Sequence, residues 1–184
     1  MSRTIILTAG HNFSDSGAIG IGNVKESKLT IRDRDGIKEA LNRIHPDIKV
    51  LTDDDSKNLS QIISWIKGVE AKESCIVCDI HYNAGGNGAT GVETFISDKA
   101  SKTSKDLAKE VQEKIVVITG LRDRGVKPES LTLRKKIGIL NTNSPAILIE
   151  MGFITNEEDL LKIDKWRGWL YEEIAYVLAK YARK

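Results

Sequence analysis

Apolar positions along the chain change their period several times, and each change marks an element. "RTIILTAG" holds a short β-branched run stopped by Gly10, which predicts a strand over about residues 3–8. From Glu26 to Ile44 the apolar residues Ile37, Ala40, Leu41 and Ile44 recur at helical spacing, and Pro46 stops them. "IKVLTD" predicts a second strand. Asp55 or Ser56 then stands where a cap is expected for a helix with the core face Leu59, Ile62, Ile63, Ile66 and Val69.

"SCIVCDI" is a third strand, apolar without alternation, as expected where both faces are covered. "GVETFI" follows a glycine-bearing loop as a fourth. Leu107, Ala108, Val111, Ile115 and Ile118 predict a helix, "RGVKPESLTL" contains a further strand, and "PAILIE" is the strand that closes the sheet. A last helix over about Lys165–Ala182 is expected to bury Trp169, Leu170, Ile174, Val177 and Leu178. Alternating strands and helices imply an α/β fold, a twisted and mostly parallel sheet with helices on both faces. At 184 residues the chain reads as a single domain spanning 1–184.

Composition narrows the function. With 28 basic and 26 acidic side chains the net charge is +2, which gives no reason to expect nucleic acid or an anionic membrane as partner. No apolar run approaches the roughly 20 residues of a membrane span, and "MSRTIILTAGH" lacks the longer apolar stretch of a secretory signal peptide. Cys75 and Cys78 form a Cys-x-x-Cys pair. Ile76 and Val77 between them favour a strand, on which residues three apart face opposite sides, so buried and inert thiols are expected. His45, ahead of Pro46, reads as a surface residue.

Polar residues interrupt three strand ends. His11 follows the first strand, His81 the third, and Glu150 the apolar run of the last, while Glu26 opens the first helix. In open α/β sheets, sites form beyond the carboxyl ends of the strands. Two imidazoles and a carboxylate suit a catalytic zinc ion, and a further carboxylate can act as general base. Each residue also has an ordinary reading. The histidines could be plain loop or strand-end residues, Glu26 could serve the helix dipole, and Glu150 could form an ion pair.

The same stretches resemble the zinc-dependent N-acetylmuramoyl-L-alanine amidases, the amidase-3 family of cell-wall hydrolases. The likeness runs through "AGHNFSDSGAIG", Glu26, "IHYNA", "GVETF", "DRGVK" and "AILIEMGFITNEED", in the family's order. It departs from the pattern at Asn12, where a second glycine is usual, at Asp79, where a small residue is common, and at Met151. The resemblance implies His11, Glu26 and His81 as zinc ligands and Glu150 as the catalytic glutamate.

Further expectations follow from that resemblance. The implied reaction cleaves the amide joining N-acetylmuramic acid to L-alanine of the peptidoglycan stem peptide. Asn83 is expected to line the cleft. Arg122, Arg124 and Lys127 are expected to meet stem-peptide carboxylates, unless they form a solvated basic loop or Arg124 pairs with an acidic neighbour. No separate cell-wall-binding domain and no cleft-blocking helix are expected. The protein should act at the bacterial cell wall as a monomer, either released as phage endolysins are or as the trimmed domain of a secreted autolysin. Two other classes remain open: a non-catalytic peptidoglycan-binding module, which would not need Glu150, and a zinc carboxypeptidase, which would need an arginine clamp.

Overall fold

The computed structural model describes residues 2–86 and 88–184. Six strands form one sheet: β1 (Thr4–Ala9), β2 (Val50–Thr52), β3 (Cys75–Asn83), β4 (Val92–Ile96), β5 (Asp123–Pro128) and β6 (Ala146–Phe153), in the order β2-β1-β3-β6-β4-β5. All neighbours run parallel except β4 and β6, which pair antiparallel. The helices are α1 (Glu26–Ile44), α2 (Leu59–Glu70), α3 (Lys102–Thr119) and α4 (Glu157–Ala182). The expected α/β architecture is therefore the one observed. Between β3 and β6 the described residues hold β4, α3, β5 and two single 3-10 turns, with no added α-helix.

The two faces of the sheet are covered unequally. α1, α3 and α4 pack over one face, where Ile76, Cys78 and Ile80 of β3 and Ile147, Ile149 and Met151 of β6 are fully buried against Leu41, Leu107 and Leu170. α2 and the segment around Ile139 cover the other, smaller core, which includes Ile6, Cys75, Val77, Phe95 and Leu148. Cys75 and Cys78 thus lie on opposite faces, free and buried, as period-two alternation requires. Burial raises the Cys75 thiol to about 11 and lifts Cys78 higher still, so neither is a thiolate at neutral pH.

Several expectations move. α2 is capped by Asn58, not Asp55 or Ser56, through a reciprocal capping box with Gln61. Leu59 consequently sits in the first turn and is 47% exposed. α4 starts at Glu157, eight residues before Lys165, because Asn156 accepts the Asp159 N–H and three acidic residues meet the helix dipole. Trp169 is 53% exposed rather than buried, since the core stripe runs through Leu170 and Ile174. His45 is half-buried at the end of α1, with an Arg183 nitrogen 3.3 Å from Nδ1. β6 is the last strand in sequence but lies mid-sheet, and it continues three residues past Glu150 to Phe153.

Candidate active site

Period-two alternation delivers the site. On the thinly covered face, the β3 column reads Cys75, Val77, Asp79, His81, and the β6 column reads Ala146, Leu148, Glu150. Thr8 and Asp79 are register partners across β1 and β3, and His81 and Glu150 across β3 and β6. Each column is apolar in its lower half and polar toward its carboxyl end. Glu93, on β4, is the cross-strand partner of Glu150. The antiparallel direction of β4 brings this carboxylate to the same rim.

Four predicted residues converge there. His11 Nε2 lies 3.2 Å from Glu26 Oε2, and His81 Nδ1 lies 3.1 Å from Glu26 Oε1. One donor atom from each of the three falls within 4.8 Å of the others. Glu26 reaches this point because it begins α1, and its carboxylate also accepts the backbone N–H groups of Ala18 (3.0 Å) and Tyr82 (3.2 Å). The second nitrogen of each ring faces another carboxylate: His11 Nδ1 is 2.9 Å from Asp15, and His81 Nε2 is 3.2 Å from Asp79. Two imidazoles and a carboxylate backed in this way could hold a divalent ion.

Local backbone geometry supports the placement. His11 has a φ of 68°, left-handed for a side chain that normally avoids it at a cost of about 1–2 kcal/mol. Asn12 stabilises the turn: its Oδ1 accepts from Ser14 and Asp15 N–H, and its Nδ2 donates to the Lys57 carbonyl. The departure from glycine at this position therefore builds the loop rather than disrupting it. A Cβ on Gly10 would lie 2.4 Å from the His81 ring, and one on Gly17 would lie 2.4 Å from the His11 ring. Glycine at these two positions admits both imidazoles.

The electrostatics converge on a cation. Burial opposes ionisation of Glu26, but hydrogen bonds with His11 and His81 more than reverse it, holding the carboxyl well below its usual range. Glu26 likewise raises the proton affinity of His11 against the cost of burial. Burial also works against a charge on His81, and Asp79 and Glu26 outweigh it. An arrangement that favours protons on both rings also favours a metal cation held among the three groups. Glu150 differs. Burial raises its carboxyl to about 7, and its Oε2 is buried with no hydrogen-bond partner among the described residues.

A cavity of about 680 Å³ opens over these groups. Asn83, Arg124 and Lys127 line it, whereas Arg122 lies exposed outside it. Glu93 gathers the first three: Asn83 Nδ2 donates to one oxygen, and Arg124 (3.1 Å) and Lys127 to the other. Arg124 also lies over the Phe153 ring, 5.0 Å from its centre. The pairing left open for Arg124 is thus present, with Glu93 as its partner. Sequence reasoning missed the contributions of Asp79, Asp15 and Glu93. Asp79 was detectable, because Asp-x-His on a strand places both side chains on one face.

Comparison with known proteins matches this geometry to a family. The family model described as N-acetylmuramoyl-L-alanine amidase matches residues 5–178. The protein YqiI of Bacillus subtilis is 32% identical over 165 residues, covering 88% of this chain and 75% of that protein. The N-acetylmuramoyl-L-alanine amidase LytC of Bacillus subtilis is 31% identical over 89% of this chain, which spans only 32% of LytC's length. The crystal structure of an N-acetylmuramoyl-L-alanine amidase from Clostridium difficile 630 superposes with a TM-score of 0.78 at 30% identity, covering 98% of this chain and 97% of that one. A match spanning nearly every element, from β1 to α4, leaves one assignment: the chain belongs to the N-acetylmuramoyl-L-alanine amidase family.

Proposed function

We propose that the chain is a zinc-dependent peptidoglycan hydrolase that cleaves the amide between N-acetylmuramic acid and L-alanine of the stem peptide. The observation that carries this reading is the convergence of His11, Glu26 and His81 within 4.8 Å beside Glu150, whose buried Oε2 has no hydrogen-bond partner among the described residues. The three converging residues would hold the zinc ion. Zinc in such a shell supplies Lewis-acid polarisation and water acidified to near neutrality.

Glu150 takes the proton of the attacking water and delivers it to the departing L-alanine amine. Burial favours the proton-bearing form that Glu150 needs between the two transfers. Asn83 and Arg124 contact the substrate along the cavity wall, with Glu93 fixing their orientation. A carboxypeptidase would clamp a free carboxylate with an arginine; Glu93 engages Arg124, Arg122 lies outside the cavity and Arg134 lines it, so product identity separates the two activities. Residues 1–184 act as one catalytic domain, as a monomer at the bacterial cell wall. No described helix is long and apolar enough to cross a membrane.

Mass spectrometry of the products released from purified peptidoglycan tests the reading. Free stem peptides beginning at L-alanine are expected, absent after chelation and restored by zinc. Intact glycan–peptide linkages would refute the amidase, and stem peptides shortened from their C-termini would replace it with a carboxypeptidase.

A further inference from the structure

Both histidines of the site face Glu26 with one nitrogen and a second carboxylate with the other, but the two supporting carboxylates differ. Asp15 belongs to the loop that carries His11, and its side chain is 65% exposed. Asp79 lies within the sheet, is itself buried, and has both oxygens engaged. Oδ2 lies 3.2 Å from His81 Nε2, and Oδ1 accepts the Thr8 hydroxyl at 2.7 Å. A carboxylate is costly to bury, and two directed contacts offset that cost only while it stays in this geometry.

Three constraints act on the His81 ring. Asp79 stands two residues before it on the same strand and face, Glu26 faces Nδ1, and Gly10 lies beneath the ring with no room for a Cβ. A neutral imidazole carries one N–H and one lone pair, and whichever nitrogen donates leaves the other free to bind a metal. We infer that Asp79 is the positioning residue for His81: it accepts the Nε2 proton and so presents the Nδ1 lone pair to a divalent ion shared with Glu26 and His11. The inference rests on the metal reading given above and adds the residue that fixes one ligand's tautomer. Thr8 acts one step further back, holding Asp79 in register between β1 and β3.

The test reads zinc binding rather than turnover. Zinc affinity is measured on purified protein by competition with a chromogenic chelator, for the wild type and for Asp79→Ala, Asp79→Asn, Thr8→Val and Asp15→Ala. Asp79→Ala is expected to weaken zinc about 10–100-fold, the range for losing a group that orients a metal-bound histidine. Asp79→Asn keeps an acceptor for Nε2–H and the shape of the side chain, so it should lose less. Thr8→Val and the exposed Asp15→Ala should lose less than Asp79→Ala. Long-range 15N spectra of the zinc-loaded protein should show His81 protonated at Nε2 in the wild type, with that signature weakened in Asp79→Ala.

Melting of the zinc-free proteins separates positioning from folding. An Asp79→Ala variant that melts lower yet binds zinc as the wild type does would assign Asp79 a purely structural role and overturn the inference. If Asp79→Ala does not fold, Asp79→Val decides, since it suits a strand and offers no acceptor: wild-type affinity and an unchanged His81 signature overturn the inference. A wild type that binds no zinc is a different result, one that removes the metal reading and this inference with it.

Discussion

The two faces of this sheet use the same strands for opposite purposes. Under α1, α3 and α4, β3 and β6 present Ile76, Cys78, Ile80, Ile147, Ile149 and Met151, all fully buried. On the other face the same strands present Val77, Asp79, His81, Leu148 and Glu150, and a cavity replaces helix cover at the carboxyl ends. The thickly covered face contributes apolar burial at roughly 25 cal/mol per Å², and the thin face holds buried charges that such burial has to offset. Glu26 crosses between them. It opens a helix of the thick face and contacts both histidines of the thin one.

Mutations should separate the faces. A large effect is expected at Glu150→Gln, which should lower stem-peptide release by about 10²–10⁴-fold, the usual contribution of a general acid–base group. Metal content, measured by plasma mass spectrometry, should stay at the wild-type level, and an active variant would remove Glu150 from the chemistry. His81→Ala should abolish both activity and metal retention while circular dichroism remains native. On the opposite face, Leu170→Ala should cost about 2–5 kcal/mol in denaturant unfolding, because it leaves a cavity in the core. The surviving folded protein should turn over normally, and a lost turnover would tie the two faces more closely than the packing suggests.

A smaller effect concerns pH in the metal-free protein. Burial raises the Glu150 carboxyl from 4.5 to about 7. A group raised on folding contributes its full stability below the unfolded value and loses it as pH rises through the folded one. Stability should therefore fall between these two values, and Glu150→Gln should remove that fall, gaining up to about 3 kcal/mol over the wild type near pH 8. Coincident melting curves at that pH would contradict the sign. The smallest effect is expected at Leu133→Ser. Leu133 is fully exposed, so stability should change by no more than about 0.5 kcal/mol.

Much of this was legible in the residues. The bounds of α1, the six strands and the placing of the two cysteines on opposite faces follow from period and from β-branched runs. Strand order was not legible. Nothing local in "AILIE" says that its strand sits mid-sheet beside both β3 and β4, since pairing depends on contacts far apart in sequence. Trp169 was misplaced because a helix with aromatics on two sides offers more than one apolar stripe, and packing chose Leu170. A shared rim for His11, His81 and Glu150 could be read from their places at strand ends, but the role of each, and of Glu26, needed the family likeness. Asp79 read as a departure from that likeness because its partners, Thr8 and His81, meet it only once β1 and β3 pair.

The register between β3 and β6 also has a consequence for how the molecule matures. His81 and Glu150 are opposite numbers across one pair of strands, so their alignment is set when those strands zip together. A slip of one residue would turn Glu150 into the three-helix layer and bring Met151 out to the rim, reversing every side chain of β6. Such a chain would carry an unpaired charge in its main core and could not persist beside the correct one. Assembly thus ties the site to the core: a form slipped by one residue between β3 and β6 has no stable place on the landscape. Protein recovered from denaturant should therefore regain its full specific activity in step with its native structure.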